Sequence, residues 1–186
     1  MISEEIFHDR TSDCRYPAFH EKIIIKCNVI RLCSSGSHAG FNFDRFLLLE
    51  GSITTFCTFH MDGQLQKAYY TGEEQEQIDD RSLAYWEEIR PFCFELIKGK
   101  RTPLAFRFTF QLSASNTEKL LHQTGVAIPP EQIRGLLLNI RYDGRTLQCT
   151  TGTSLTVFTM DKTLDQAWDS MIQKFLHQQE IPFELM

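Results

Sequence analysis

A chain of 186 residues with 42% hydrophobic and 12% aromatic side chains has the size of one domain and enough apolar mass for a core. The formal charge of −5 is concentrated, because residues 71–95 hold eight acids against two arginines; that balance argues against a dedicated nucleic-acid binder and against a basic membrane-surface protein. The six cysteines, Cys14, Cys27, Cys33, Cys57, Cys93 and Cys149, include no Cys-x-x-Cys pair and read as reduced core thiols. With no secretory leader in Met-Ile-Ser-Glu-Glu and no apolar run near the ~20 residues of a membrane span, the expectation is a cytoplasmic protein.

In chain order, residues 1–40 read as a variable N-terminal extension and linker. They hold an Ile-rich run, Ile23 to Leu32, read as a strand, and the small-residue stretch Ser34 to Gly40. Residues 41–186 read as a single α+β domain. Ile53 to His60 has strand composition and runs into Asp62-Gly63, which predicts a tight hairpin with Leu65 to Tyr70 as the returning strand. An acidic loop follows. Leu83, Trp86, Ile89, Cys93 and Leu96 then recur at helical spacing, predicting an amphipathic helix over Ser82 to Lys98. Pro91 interrupts it, either as a kink or as the first turn of a second helix.

Gly99 and Pro103 end that helix and release the clearest strand of the chain. Leu104, Phe106, Phe108, Phe110 and Leu112 alternate with polar residues and define one buried face. Asn116 or Ser115 is the expected cap of a short helix through His122 that ends at Gly125. After Pro129-Pro130, Leu136 to Tyr142 and Arg145 to Thr151 flank Asp143-Gly144 as a second hairpin, extended by Ser154 to Thr159. The last element carries Leu164, Trp168, Met171, Phe175 and Leu176 on one stripe, with Thr163 and Gln166 as a capping box. Tight hairpins join antiparallel strands. The expected fold class is therefore α+β, a mainly antiparallel sheet of about five to six strands with helices packed on one face.

Phe43-Asp44-x-Phe46-Leu47-Leu48-x-Glu50, Ile53-Thr54-Thr55-Phe56-x-Thr58-Phe59 and Asp62-Gly63, with Glu88-Ile89-Arg90-Pro91-x-Cys93-Phe94, Leu96-Ile97-Lys98-Gly99-Lys100-x-Thr102-Pro103-Leu104 and Cys149 to Leu155, carry a resemblance. Over about residues 41–180 the chain resembles a family of uncharacterised small proteins, a domain of unknown function from anaerobic Gram-positive bacteria. The resemblance implies no activity, substrate or catalytic residue. Residues 1–40 depart from it, since a short helix is expected just before Phe43 in place of a tail rich in Cys and His.

Five groups of residues carry candidate chemistry. Lys98, Lys100, Arg101 and Arg107, with no acid between Ile97 and Gln111, form a basic turn able to contact an anion or nucleic-acid phosphates; a helix C-terminus and the solvent side of a sheet account for the same charges. Cys27, Cys33 and His38, near Cys14 and His20, are of metal-ligand type, but their spacing fits no zinc finger, so no metal is expected. Cys57, Cys149 and His60 lack any nucleophile motif and read as buried thiols and a turn histidine. Glu73 to Asp80 with Glu87 and Glu88 read as a solvated face, adjacent helical carboxylates pointing about 100 degrees apart. Thr150 to Ser154 lacks the lysine of a P-loop and reads as a strand.

With a strong core pattern and no organised site, the sequence points to a non-catalytic binding or interaction module, partnered by another protein or by itself. It expects no cofactor. A nucleic-acid-binding protein using 98–107 and a hydrolase with an unrecognised site are the alternatives.

Overall fold

The computed structural model describes residues 19–25, 43–78, 81–99 and 101–186. Its centre is one seven-stranded sheet in which every pairing is antiparallel. The strands are β1 (Phe19–Ile25), β2 (Leu47–Thr54), β3 (Thr58–Met61), β4 (Ala105–Gln111), β5 (Ile133–Tyr142), β6 (Leu147–Leu155) and β7 (Phe183–Leu185), in the spatial order β3-β2-β4-β5-β6-β1-β7. The helices are α1 (Gly72–Gln77), α2 (Trp86–Ile97), α3 (Ala114–Thr124) and α4 (Thr163–Gln178).

The alternation read in β4 sets the layering. Phe106, Phe108 and Phe110 are buried, as are Leu138, Ile140 and Tyr142 directly opposite them on β5. Helices cover that face. Trp86 of α2 places its ring 5.0 Å from Phe108 and 5.1 Å from Phe110, and Trp168 of α4 donates its indole N–H to the Leu137 carbonyl at 2.9 Å. Leu120 and Leu121 of α3 join the same core. Phe43, in a 3-10 turn over Phe43–Arg45, stacks on Phe110 and meets Phe175 of α4. Each such ring gains roughly 1.5–3 kcal/mol on leaving water, so this aromatic layer dominates the packing.

Several elements differ from their sequence-based reading. The strand count is seven against five to six, with β7 only three residues long; β1 takes in Ile23 to Ile25 of the Ile-rich run, whose residues 26–32 lie outside the described residues. The first hairpin joins β2 to β3 through residues 55–57, with the Thr55 N–H bonded to the Cys57 carbonyl. Asp62-Gly63 is instead where the chain leaves the sheet. Gly63 has φ +65 and lies so close to β2 that a Cβ would sit 2.0 Å from the Leu48 carbonyl oxygen. Its own carbonyl accepts the Ala84 N–H, so Gln64 pairs with Leu83. Residues 65–70 therefore hold a 3-10 turn, Lys67–Tyr69, and no returning strand.

Leu104 is 66% exposed and stands outside the buried face, because β4 begins only at Ala105. Helix α2 starts at Trp86 and runs unbroken through Pro91 to Ile97. Ser113 is the N-cap of α3, its carbonyl taking the Thr117 N–H, and Gly125 closes that helix with φ +68 as expected. Thr163 is the first residue of α4, capped by the Asp161 carboxylate at its N–H; a capping box at Thr163 and Gln166 is not formed. Asp143-Gly144 does make the second hairpin, with Gly144 at φ +90, but β6 ends at Leu155, short of Thr159.

Candidate functional site

Because the described helices gather on one side, alternate side chains at the centre of the sheet form a second, polar face, which gives way to the buried Leu137 one row beyond. Register orders it into rows. One row runs His60, Ser52, Arg107, Arg141, Gln148 across β3, β2, β4, β5 and β6; the next runs Glu50, Thr109, Asn139, Thr150 across β2, β4, β5 and β6. All are exposed or half-buried except Thr109, which is buried. Nothing in either row is apolar.

The electrostatics of the face centre on two arginines directly opposite one another, Arg107 and Arg141. Like charges in that relation repel. Glu50 relieves only one of them: its Oε1 lies 3.6 Å from Arg107 Nη2 and also accepts from the Thr109 hydroxyl at 3.2 Å. Arg141 has no ion pair among the described residues, and its charge is the smallest of the causes that hold the Asp143 carboxyl below its usual range, the Thr146 and Arg145 backbone N–H groups being larger. The Arg107 Nε and the Asn139 Oδ1 are buried without a hydrogen-bond partner, each an omission costing about 1–3 kcal/mol.

The four cations named from sequence occupy different settings. Arg107 is the third residue of β4 on the open face. Lys98 caps α2, pairs with Glu95 at 3.2 Å and lies 5.4 Å over the Phe94 ring. Arg101 is exposed in the connection to β4. Lys100 falls outside the described residues. Arg141, Asn139 and Glu50 were not singled out from sequence; the Asp-Gly hairpin places Arg141 against Gln148, but only the long-range pairing of β4 with β5 brings it to Arg107.

Nucleophile chemistry finds no support in the thiols. Cys149 is buried, and burial pushes its thiol up to about 12. Cys93 is buried with its Sγ 3.5 Å from Met61 Sδ. Cys57 is exposed at the β2–β3 turn, where no ladder covers it, and is not the buried strand thiol expected. His60 stands on the open face within β3. Among the described residues no group of three or more His, Cys, Asp or Glu could hold a metal ion. Cys14, Cys27, Cys33 and His38 lie outside the described residues, as does the side chain of His20.

The acids serve local structure. Glu74 bonds the Thr71 N–H and hydroxyl at 2.9 Å, closing the start of α1. Glu88 takes both terminal nitrogens of Arg81 at 2.7 Å and the Tyr85 N–H, and those Arg81 bonds lower its carboxyl below the ordinary range. Glu87 pairs with Arg45 at 3.5 Å. In the Thr-rich stretch, Thr151 and Thr153 donate their hydroxyls to Asp169 and Asp165 of α4, fastening that helix to β6, while Thr150 belongs to the open face. No helix among the described residues is long and apolar enough to cross a membrane.

The arrangement defines an α+β protein with one helical layer on an antiparallel sheet whose opposite face carries two rows of polar side chains and, among the described residues, no helix. Residues 39–184 match the model of a family of unknown function (DUF5721), and the chain belongs to that family. No curated protein matches it. No solved structure does either.

Proposed function

We propose that this chain is a non-catalytic cytoplasmic binding module and that the open face of its sheet is the binding surface. One observation carries the reading: among the described residues the long helices lie against the phenylalanine side, and nine polar side chains stand in two registered rows on the other. The burial of the Cys93 and Cys149 thiols, the latter pushed up to about 12, supports a binding role over thiol-based hydrolysis. Buried reduced thiols also suit a reducing compartment. Residues 41–186 form the domain in this reading, with residues 1–40 an extension from which Phe19–Ile25 lends a strand.

Amide chemical shifts of the labelled full chain, recorded against a panel of small metabolites, peptides and single-stranded oligonucleotides, test this. Shifts clustered on β4, β5 and β6 open-face residues are expected. Shifts clustered at Lys98 and Arg101 with oligonucleotide would replace the reading by the nucleic-acid one, and turnover of any panel member would replace it by an enzyme.

A further inference from the structure

We propose that Arg107 and Arg141 together form a binding site for the phosphoryl group of a small phosphomonoester. The inference rests on the open face being the binding surface and names its ligand class. Arg107 and Arg141 are immediate cross-strand neighbours at the middle of the sheet, a placement of like charges that is unfavourable unless something negative lies between them. Nothing in the described residues does. None of the five N–H groups of Arg107 makes a hydrogen bond there, its 3.6 Å approach to Glu50 being beyond bonding distance, and Arg141 has neither bond nor ion pair. The terminal nitrogens of both arginines are thus free of hydrogen bonds within the described residues, while the Arg107 Nε is buried.

The geometry of the forks selects the ligand. A carboxylate holds its two oxygens in one plane, matching a single guanidinium fork, whereas the three terminal oxygens of a phosphoryl group diverge and can face two forks at once. Glu50 approaches Arg107 from the β2 side, which leaves the β5 side, above Arg141, for the anion. Asn139, Gln148 and Thr150 border that place on β5 and β6 and supply neutral hydrogen-bonding groups suited to the hydroxyls of a small polar molecule. A nucleic-acid backbone is the weaker fit. It needs a track of cations, and here one pair is flanked by Glu50 on a chain of net charge −5.

The side-chain Nε–Hε resonances of Arg107 and Arg141 in the full chain, followed by NMR at constant ionic strength, test the site. The probes are inorganic phosphate, ribose 5-phosphate, acetate, and a single-stranded oligonucleotide. Saturable shifts of both arginines with phosphate and ribose 5-phosphate, and none with acetate, are expected. Arg107→Gln and Arg141→Gln should each weaken binding by about tenfold, the loss of a charge-assisted contact, while Arg145→Gln in the neighbouring turn leaves it unchanged. At equal concentration phosphate should raise the melting temperature of the parent chain more than that of either variant, a readout that also verifies folding. Equal shifts with acetate, or affinity untouched by both substitutions, would overturn the site; if ligand-induced shifts still cluster on the open face in those variants, the surface reading stands and only the phosphoryl assignment falls. Stronger binding of the oligonucleotide than of ribose 5-phosphate would also overturn it.

Discussion

Phe108 and Arg107 are neighbours in sequence with opposite fates. The Phe108 ring is fully buried against Trp86, so Phe108→Ala should cost about 3–5 kcal/mol. Arg107→Ala should cost under about 1 kcal/mol, its ion pair with Glu50 being long and half exposed. Denaturant unfolding of both variants measures the contrast, and equal effects would contradict the layering. Thiol chemistry gives a second contrast: an alkylating reagent should label Cys57 rapidly in the folded chain and leave Cys93 and Cys149 unlabelled until unfolding, as peptide mass spectrometry can read. Arg81 holds the Glu88 carboxyl below its ordinary 4.5, so the pair stabilises at neutral pH and its contribution is lost as pH falls below about 4.5, where the unfolded chain binds the extra proton first. Glu88→Gln should accordingly destabilise at pH 7, by about 1 kcal/mol for a pair whose carboxylate is partly screened by solvent, and the gap to the parent should close in acid.

Elements were legible in sequence where one side of a repeat is buried. The 106–110 alternation and the Leu164, Trp168, Leu176 stripe carry their own burial pattern, and both elements form where that pattern lies. Turns were less legible. Asp-Gly occurs twice, and at Asp143-Gly144 it joins two strands of one ladder, while at Asp62-Gly63 contacts from Leu48 and Ala84, distant in sequence, redirect the chain. Alanine substitution separates the two influences on glycine. Gly63 and Gly125 share nearly the same positive φ, but a Cβ at Gly125 meets nothing within 4 Å. Gly125→Ala should cost about 1 kcal/mol for the left-handed backbone alone, and Gly63→Ala well over 2 kcal/mol, since the Leu48 carbonyl cannot yield without disturbing β2; thermal unfolding ranks the pair.

At the scale of the whole molecule, the phenylalanine face could be read from spacing, but the polar face could not be read as a site. Arg107 was identifiable as solvent-facing from its own strand. Arg141 becomes its neighbour only through the pairing of β4 with β5, which joins residues separated by α3 and its flanking turns. Long-range register is not encoded in any local window of sequence. Exposed apolar residues tell the same story: Leu104 and Phe158 continue strand-like patterns in sequence and yet stand in solvent, because the ladders end before or after them.

Phe19–Ile25 lies between β6 and β7 although the family match begins only at residue 39. A polypeptide shortened to residues 39–184 would therefore carry a bare seam along Leu147 to Gly152, a line of amide and carbonyl groups stripped of the mate they have in the full chain, and its last residues would lose the strand they pair with. Such a seam invites another chain to zip onto it. The shortened protein should scatter light and elute as oligomers at concentrations where the full-length chain does not, and a synthetic peptide spanning the missing strand should reverse the effect.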